Sequence, residues 1–288
     1  MLTGYILALI TSLLFSIYLL PRKFASQSPA VYAIFFSAGF LSASLLYWIV
    51  SDFASLMDPA LIISCATGVI YTVGLITFTK SIDSIGLTQS NQWKNLQGPT
   101  GAALGLWLLT EASQANALFV ISAAAFIFIS AVLLTVKDET PKKLKLTGVL
   151  LALTAAISFG VCAYLQKMVM NIGVPVSAQL VCTSTFMLIT SVIYCVLALK
   201  NQNYNITNRN NILGAFAGSM YFAAALCMLL SFELLPVSIA FPIVQLNAVW
   251  TISIGIIVFK EVSFKKHWQR ISLGLVFAVL GVVCLAAA

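Results

Sequence analysis

The sequence predicts an all-α integral membrane protein with ten transmembrane helices, arranged as two inverted five-helix repeats. Of its 288 residues, 61% are hydrophobic and only 8% are charged, whereas a soluble domain carries roughly a quarter charged residues. The apolar residues form runs of about 20, the length at which a helix crosses a hydrocarbon core of about 30 Å. The first half of the sequence also recurs, in altered form, in the second half.

Ten apolar runs define the predicted spans, and in lipid such runs form helices because every backbone N–H and C=O group needs an internal partner. We expect the first run to be a span rather than a cleaved signal peptide, because its positive charges (Arg22 and Lys23) follow the apolar stretch. The predicted spans cover residues 2–20, 30–50, 60–79, 86–109, 116–136, 146–166, 175–199, 212–232, 236–259 and 268–287.

The basic residues predict how these spans are oriented. With ten spans, every one of the 15 Lys and Arg residues except Lys94 and Lys167 falls on one side of the membrane. Loops rich in Lys and Arg face the cytoplasm. We therefore expect a multi-pass protein of the cell membrane with both termini outside. The net charge of +7 is explained by these loops, so we expect the lipid bilayer and not nucleic acid as a partner.

An internal repeat divides the chain into two five-span units, residues 1–140 and residues 141–288. Residues 68–111 align without a gap with residues 218–261, at a constant offset of 150, and an offset of 144 aligns the start of each half. The matched pairs include Phe15 with Phe159, Lys23 with Lys167, Gly68 with Gly218, Tyr71 with Tyr221, and Asp83 with Glu233. Because five is an odd number, the second unit enters the membrane from the opposite face. Inverted units of this kind are typical of transporters that alternate access around a central site.

Ten spans as five plus five, with Glu111 and Glu261 at the ends of the fourth and ninth spans, resemble the drug/metabolite transporter superfamily. Within it, Lys80–Ile82 and Ile85-Gly86, leading into a fourth span that bears Gln and Asn, are similar to the bacterial glucose/ribose porters. This resemblance implies a cavity between the halves, lined mainly by spans 1–4 and 6–9, with spans 5 and 10 at the periphery. Lys94 departs from the sugar-porter pattern.

The fourth predicted span contains the segment Thr88–Gln97, which is polar at every position except Trp93 and Leu96. A lysine near the centre of a span costs about 2.5–3.5 kcal/mol to insert, and such residues normally face a cavity. We therefore expect Lys94 to line a solute site near the membrane midplane. The alternative is a span that starts late, from which Lys94 reaches the interface on its long side chain.

Two prolines predict kinks in the fourth and ninth spans. Proline lacks a backbone N–H, so Pro99 deprives the carbonyl of Asn95 of its helical donor, and Pro242 does the same for Ser238. A kink beside Lys94 would place a free acceptor and a cation at the same depth.

The candidate solute-binding residues are polar or aromatic and belong to the third, fourth, eighth and ninth spans. Carboxamides donate and accept hydrogen bonds, which suits hydroxyl-rich or zwitterionic solutes. Asn95 and Gln245 can instead join helices by hydrogen bonds. The predicted substrate-binding residues are Lys94, Gln97, Asn91, Asn247, Trp250, Tyr71 and Tyr221.

These features predict a secondary transporter that moves a small polar solute, with a sugar favoured, by alternating access. Two alternatives stay open: a carrier or exporter of an amino-acid-like or anionic metabolite with Lys94 as counter-ion, and a passive channel or lipid-handling membrane protein. The sequence has no nucleotide-binding loop and no catalytic motif, so we expect neither an enzyme nor ATP-driven transport. Its six cysteines lie within apolar runs, and we expect no metal or other cofactor. A proton or a cation can act as coupling ion, and the oligomeric state stays open.

Overall fold

The computed structural model describes residues 2–18, 20–25, 28–51, 53–109, 116–134, 145–198, 208, 210–258 and 264–287. These residues contain helices and no strand. The helices are α1 (Leu2–Ile17), α2 (Leu20–Phe24), α3 (Pro29–Val50), α4 (Leu61–Ile85), α5 (Leu87–Lys94), α6 (Gln97–Leu108), α7 (Ala117–Leu134), α8 (Leu146–Asn171), α9 (Val176–Ala198), α10 (Asn211–Leu234), α11 (Val237–Val244), α12 (Asn247–Ile257) and α13 (Phe264–Ala286).

Nine helical segments of the described chain are long and apolar enough to cross a membrane. They coincide with nine of the ten predicted spans, and α11 and α12 together make up the ninth span. The fourth predicted span is occupied by α5 and α6, which have eight and 12 residues. Helices α5 and α6 are not among the nine membrane-spanning segments, because α5 is almost entirely polar. The protein is therefore an all-helical, multi-pass membrane protein.

Two helices continue five or six residues past their predicted ends. The third predicted span ends at residue 79 and the sixth at residue 166, whereas α4 continues to Ile85 and α8 continues to Asn171. The charged residues in these extensions therefore lie on helices instead of loops. Long charged side chains can reach the membrane surface from within a helix, so a change from apolar to polar residues does not mark where a helix ends.

Six of the long helices form two bundles, which we call the first bundle (α1, α3 and α10) and the second bundle (α4, α8 and α9). In the first bundle α1 and α10 run antiparallel. Gly4, near the start of α1, lies against Leu235, directly after α10, and Phe15, near the end of α1, stacks on Tyr221 at a ring distance of 5.6 Å.

In the second bundle α4 and α8 run antiparallel in the same way. Gly148, near the start of α8, lies against Ile85, the last residue of α4, and Gly74 lies against Phe159 further along. The start of each helix therefore lies beside the end of its partner. The bundles meet along α3 and α9.

Glycines allow the backbones within each bundle to approach closely. A Cβ atom on Gly218 of α10 would lie 1.9 Å from the carbonyl oxygen of Phe36 in α3, and one on Gly68 of α4 would lie 2.3 Å from the carbonyl oxygen of Thr183 in α9. Small residues at helix contacts strengthen van der Waals packing in membranes, where apolar burial alone does not hold helices together.

The fourth and ninth spans are each broken into two helices, at Asn95–Leu96 and at Gln245–Leu246. Helix α6 packs on α8 and α11, and α11 packs on α1 and α6. The two broken spans therefore close one side of the space between the bundles. Helices α7 and α13 pack mainly on each other.

The proline argument places one of these breaks correctly and misplaces the other. The fourth span breaks after Asn95, whose carbonyl has no helical donor because residue 99 is proline. The N–H of Gly98 donates to that carbonyl instead, at 3.1 Å. In the ninth span Pro242 lies inside α11, and the break comes after it, at Gln245. Gly98 packs against Gln245, since a Cβ atom on Gly98 would lie 2.4 Å from its Cγ. The break in the ninth span therefore lies where that span packs against the fourth.

Candidate functional site

A central cavity of about 20 Å³ lies between the two bundles and the broken spans. A cavity of this size holds roughly one water molecule. The first bundle, the second bundle and both broken spans contribute to its walls. The lining residues are Phe15, Tyr18, Tyr71, Lys94, Gln97, Phe159, Cys162, Gln166, Tyr221, Met228 and Phe241.

An aromatic cluster joins the bundles at this cavity. The ring of Tyr221 lies 5.0 Å from the ring of Tyr71, 5.3 Å from that of Tyr18 and 5.6 Å from that of Phe15. On the opposite side Tyr71 contacts Phe159 at 4.7 Å. Aromatic pairs at these distances contribute about 0.5–1.5 kcal/mol beyond their buried area. The structure thus brings together the two predicted tyrosines across the interface between the bundles.

Lys94 is buried at the end of α5, with 2% of its surface exposed. Its ammonium nitrogen lies 5.2 Å from the ring centre of Phe78 and 6.0 Å from that of Phe159, within the range of cation–π attraction. Within the described chain no carboxylate lies at ion-pair distance from it. A side chain so fully enclosed does not reach the membrane surface, which disagrees with the late-starting span considered above.

Gln97 begins α6 and has two roles. It lines the cavity, and its Nε2 donates to Oε1 of Gln245 at 2.8 Å. Nε2 of Gln245 in turn donates to the carbonyl oxygen of Phe241 at 3.1 Å. Gln245 thus ties the two breaks together, which is the interhelical role considered for it above.

Asn91 and Asn247 meet each other away from the central cavity. Nδ2 of Asn91 lies 3.4 Å from Oδ1 of Asn247 and 3.0 Å from Oγ1 of Thr251. These bonds join α5 to α12, and neither asparagine lines the cavity. Trp250 is 42% exposed and its Nε1 donates to Oγ of Ser12 at 3.1 Å, so it lies on the outer surface. The structure therefore brings Lys94, Gln97, Tyr71 and Tyr221 together and leaves these three residues outside.

Several lining residues were missed in the sequence. Phe15 and Phe159 are matched by the repeat, and both line the cavity. This match is a signal that could have identified them. Gln166 is a polar residue at the end of an apolar run, which could have been used in the same way. Nothing in the sequence distinguishes Cys162, Met228 or Phe241 from other apolar residues of the spans.

Buried amide groups near the break in the fourth span lack hydrogen-bond partners. Both side-chain polar atoms of Gln92 and of Asn95 are buried without one, as are Oδ1 of Asn91 and Nδ2 of Asn247. Most buried polar groups in proteins are paired, because an unpaired one costs about 1–3 kcal/mol. This part of the molecule is therefore rich in hydrogen-bonding capacity that this conformation does not use.

Comparison with known proteins identifies a family. The family model described as "Sugar transport protein" matches residues 6–288, whereas a search of curated proteins finds no match. A solved structure described as "Crystal structure of protein" superposes with a TM-score of 0.70 at 11% sequence identity, covering 99% of this chain and 97% of that one. At so low an identity the superposition shows the fold alone. Because the family match spans nearly the whole chain, this protein belongs to the sugar transport protein family of membrane transporters.

Proposed function

We propose that this protein is a secondary transporter that moves a sugar across the membrane by alternating access, with two inverted five-helix repeats as the drug/metabolite transporter resemblance implies. The observation that carries the proposal is the central cavity. It lies between two bundles and is lined by residues of both, among them the repeat-matched Tyr71 and Tyr221. A solute bound there would contact both bundles, so its binding energy can depend on how the bundles are arranged.

The pattern of helix packing supports the inverted repeats. If the two halves are equivalent, α1 corresponds to α8, α3 to α9 and α4 to α10. The contact between α1 and α10 then corresponds to the contact between α8 and α4, and the contact between α3 and α10 corresponds to that between α9 and α4. All four pairs are extensive contacts. The close approach at Gly218 likewise has a counterpart at Gly68, its match in the sequence repeat. Equivalent contacts in both halves are what a duplicated, inverted unit requires.

The chemistry of the cavity suits a sugar. Hydroxyl groups of three tyrosines, the carboxamides of Gln97 and Gln166 and the ammonium of Lys94 supply hydrogen-bond donors and acceptors. Between them lie the aromatic faces of Phe15, Phe159 and Phe241. A sugar has the same two-sided character, with hydroxyls at its rim and C–H groups on its faces. The present volume of about 20 Å³ does not admit a sugar, so the bundles must separate for it to enter.

Counterflow in proteoliposomes tests this proposal. Vesicles are loaded with an unlabelled neutral sugar and diluted into a trace of the same sugar carrying a radiolabel. An alternating-access carrier exchanges the two and accumulates label transiently above its external concentration. A passive channel only equilibrates the label, so equilibration without overshoot would contradict the proposal. The matched controls are Tyr164→Phe, on α8 away from the cavity, and protein-free vesicles.

A thermal-shift screen chooses the sugars for that assay. A ligand at 100 times its Kd stabilises the folded protein by about 2.7 kcal/mol. We expect at least one neutral sugar to raise the Tm, and amino acids and nucleosides to leave it unchanged. A rise with amino acids alone would contradict the proposed substrate.

The second candidate is an anionic or amino-acid-like solute with Lys94 as its counter-ion. It is favoured by the burial of Lys94 without a carboxylate at ion-pair distance in the described chain. Against it, the ammonium already lies over the rings of Phe78 and Phe159, which lowers the cost of an unpaired cation. The family match favours the sugar.

A further inference from the structure

We propose that two charged sites at opposite ends of the interface between the bundles act as the gates of the solute pathway. One is the ion pair Arg22–Asp83 and the other consists of Lys167 and Glu233. The proposal rests on the alternating access proposed above. It assigns to these four residues the task of holding one end of the pathway closed while the other opens.

The helix directions place the two sites at opposite ends. Asp83 lies near the end of α4, beside the start of α8, because Gly148 contacts Ile85. Lys167 lies in the last turns of α8, at its other end. We call these the Arg22 end and the Lys167 end. The end of α10, which carries Glu233, lies beside the start of α1 and so belongs to the Lys167 end.

At the Arg22 end an ion pair joins the two bundles. Nη2 of Arg22 lies 2.6 Å from Oδ1 and 2.7 Å from Oδ2 of Asp83. Arg22 belongs to α2, which packs on α10 of the first bundle, whereas Asp83 belongs to α4 of the second. The guanidinium carbon also lies 5.1 Å from the ring centre of Tyr32 in α3. Arg22 is thus held by the first bundle and bonded to the second.

At the Lys167 end a hydrogen bond joins the bundles. The ammonium of Lys167, on α8 of the second bundle, donates to the carbonyl oxygen of Phe232 in the last turn of α10 of the first bundle. Beside this contact lies a cavity of about 300 Å³, lined by Lys167, Asn171 and Glu233 among others. The carboxylate of Glu233 therefore borders the same space as the ammonium, at the position that Asp83 holds in the other half.

The exposure of the Arg22–Asp83 pair suits a gate. Arg22 is 4% exposed and Asp83 is 47% exposed, so water can solvate the carboxylate when the pair separates. An ion pair with one half-exposed partner is weaker than a fully buried one, because water screens the charges. A contact of this strength biases which end is closed without trapping the protein there. In this conformation the ion pair joins the bundles at the Arg22 end, and a cavity of about 300 Å³ lies at the Lys167 end.

Cys162 provides a reporter for this proposal, because its thiol lines the central cavity and is 3% exposed. In a variant with Cys162 as its single cysteine, the rate of labelling by a membrane-impermeant maleimide is measured in right-side-out and in inverted vesicles. Removing a gate should raise labelling from its own end only. For Asp83→Asn we expect an increase of about fivefold from the face of the Arg22 end. Glu233→Gln and Lys167→Gln should increase labelling from the other face.

A charge exchange separates gating from loss of folding. Arg22→Asp combined with Asp83→Arg should return the labelling rate towards that of the parent, whereas Arg22→Asp alone should not. Lys80 is an exposed residue of α4 at the same end. Lys80→Gln removes one charge there and should leave the labelling rate unchanged. An unchanged rate in Asp83→Asn, or equal increases from both faces, would overturn the proposal. Because labelling requires no sugar, this result is independent of whether the counterflow assay succeeds.

Discussion

The ring of Tyr71 lies 5.0 Å from the ring of Tyr221, and the two residues hold the same position in the two halves of the sequence. Tyr71 belongs to the second bundle and Tyr221 to the first. Their contact therefore crosses the interface between the bundles, which has to open in the proposed alternating-access cycle. In that proposal each tyrosine belongs to a different moving part, so the pair can act in both directions of transport.

The first prediction concerns the hydroxyls of this pair. Tyr71→Phe and Tyr221→Phe each remove one hydroxyl from the cavity and leave the ring in place. A hydrogen bond contributes about 0.5–1.5 kcal/mol, so each variant should bind the sugar about twofold to tenfold more weakly, as measured by the ligand concentration dependence of the Tm. Tyr164→Phe serves as the control. Full affinity in both cavity variants would show that neither hydroxyl contacts the sugar.

The second prediction concerns the charge of Lys94. Lys94→Gln keeps hydrogen-bonding capacity and removes the charge. For a neutral sugar, counterflow should fall only modestly. For an anionic solute, affinity should fall about tenfold to a hundredfold, the effect of a charged hydrogen bond. If Lys94→Gln and Lys94→Ala both bind and transport like the parent, the solute site lies elsewhere.

The second prediction extends to stability, which Lys94 should lower. An unpaired charge in the interior is costly, and an apolar residue of similar volume is often neutral or stabilising there. Lys94→Met, in the absence of solute, should therefore have a Tm equal to or above that of the parent. The same substitution at exposed Lys80 is the control. A marked fall in Tm for Lys94→Met would mean that the ammonium is well satisfied by its surroundings.

The third prediction concerns the hydrogen bond between Gln97 and Gln245 at the two helix breaks. Hydrogen bonds between transmembrane helices contribute about 0.6 kcal/mol on average and up to about 1.7. A double-mutant cycle of Gln97→Leu and Gln245→Leu, followed by unfolding in detergent, should give a coupling energy in this range. The pair Gln97 and Thr251 serves as the control, because Thr251 bonds to Asn91 instead. A coupling near zero at Gln97–Gln245 would contradict the observed bond.

The fourth prediction concerns close packing at Gly68 and Gly218. A methyl group at either position meets a backbone carbonyl oxygen that cannot move aside, and overpacking of this kind costs typically about 1–3 kcal/mol. Gly68→Ala and Gly218→Ala should each lower the free energy of unfolding by such an amount. At Gly214 the nearest atom is Cβ of Phe35, at 3.1 Å, so Gly214→Ala should have a smaller effect. Equal effects at all three glycines would contradict this account.

The fifth prediction concerns orientation, which rests on the sequence alone. Residues 137–144, 199–207 and 209 lie outside the described residues. Because basic loops face the cytoplasm, loops 137–145 and 200–211 should be cytoplasmic and both termini outside. The sequon Asn205-Ile206-Thr207 should then stay unmodified when the protein is expressed in a eukaryotic cell, since glycans are added on the opposite side. A glycan on Asn205 would reverse the predicted orientation.

Local composition and the internal repeat were sufficient to predict the helices and to single out Tyr71, Tyr221 and Lys94. An apolar run in lipid must form a helix, so local composition was sufficient for the spans. The offset of the repeat paired Tyr71 with Tyr221, and the cost of burying a charge singled out Lys94. These arguments work because they concern single segments or positions matched along the chain, and neither needs knowledge of neighbouring helices.

Which faces of the helices meet could not be predicted from these patterns. The sequence places Asn247 and Trp250 with Lys94 at the solute site, but Asn247 bonds to Asn91 and Trp250 lies on the outer surface. A helical pattern gives the relative directions of side chains on one helix, whereas their surroundings depend on how neighbouring helices are rotated and tilted. In a membrane protein this uncertainty is large, because lipid and protein interior are both apolar and hydrophobicity does not distinguish the two faces.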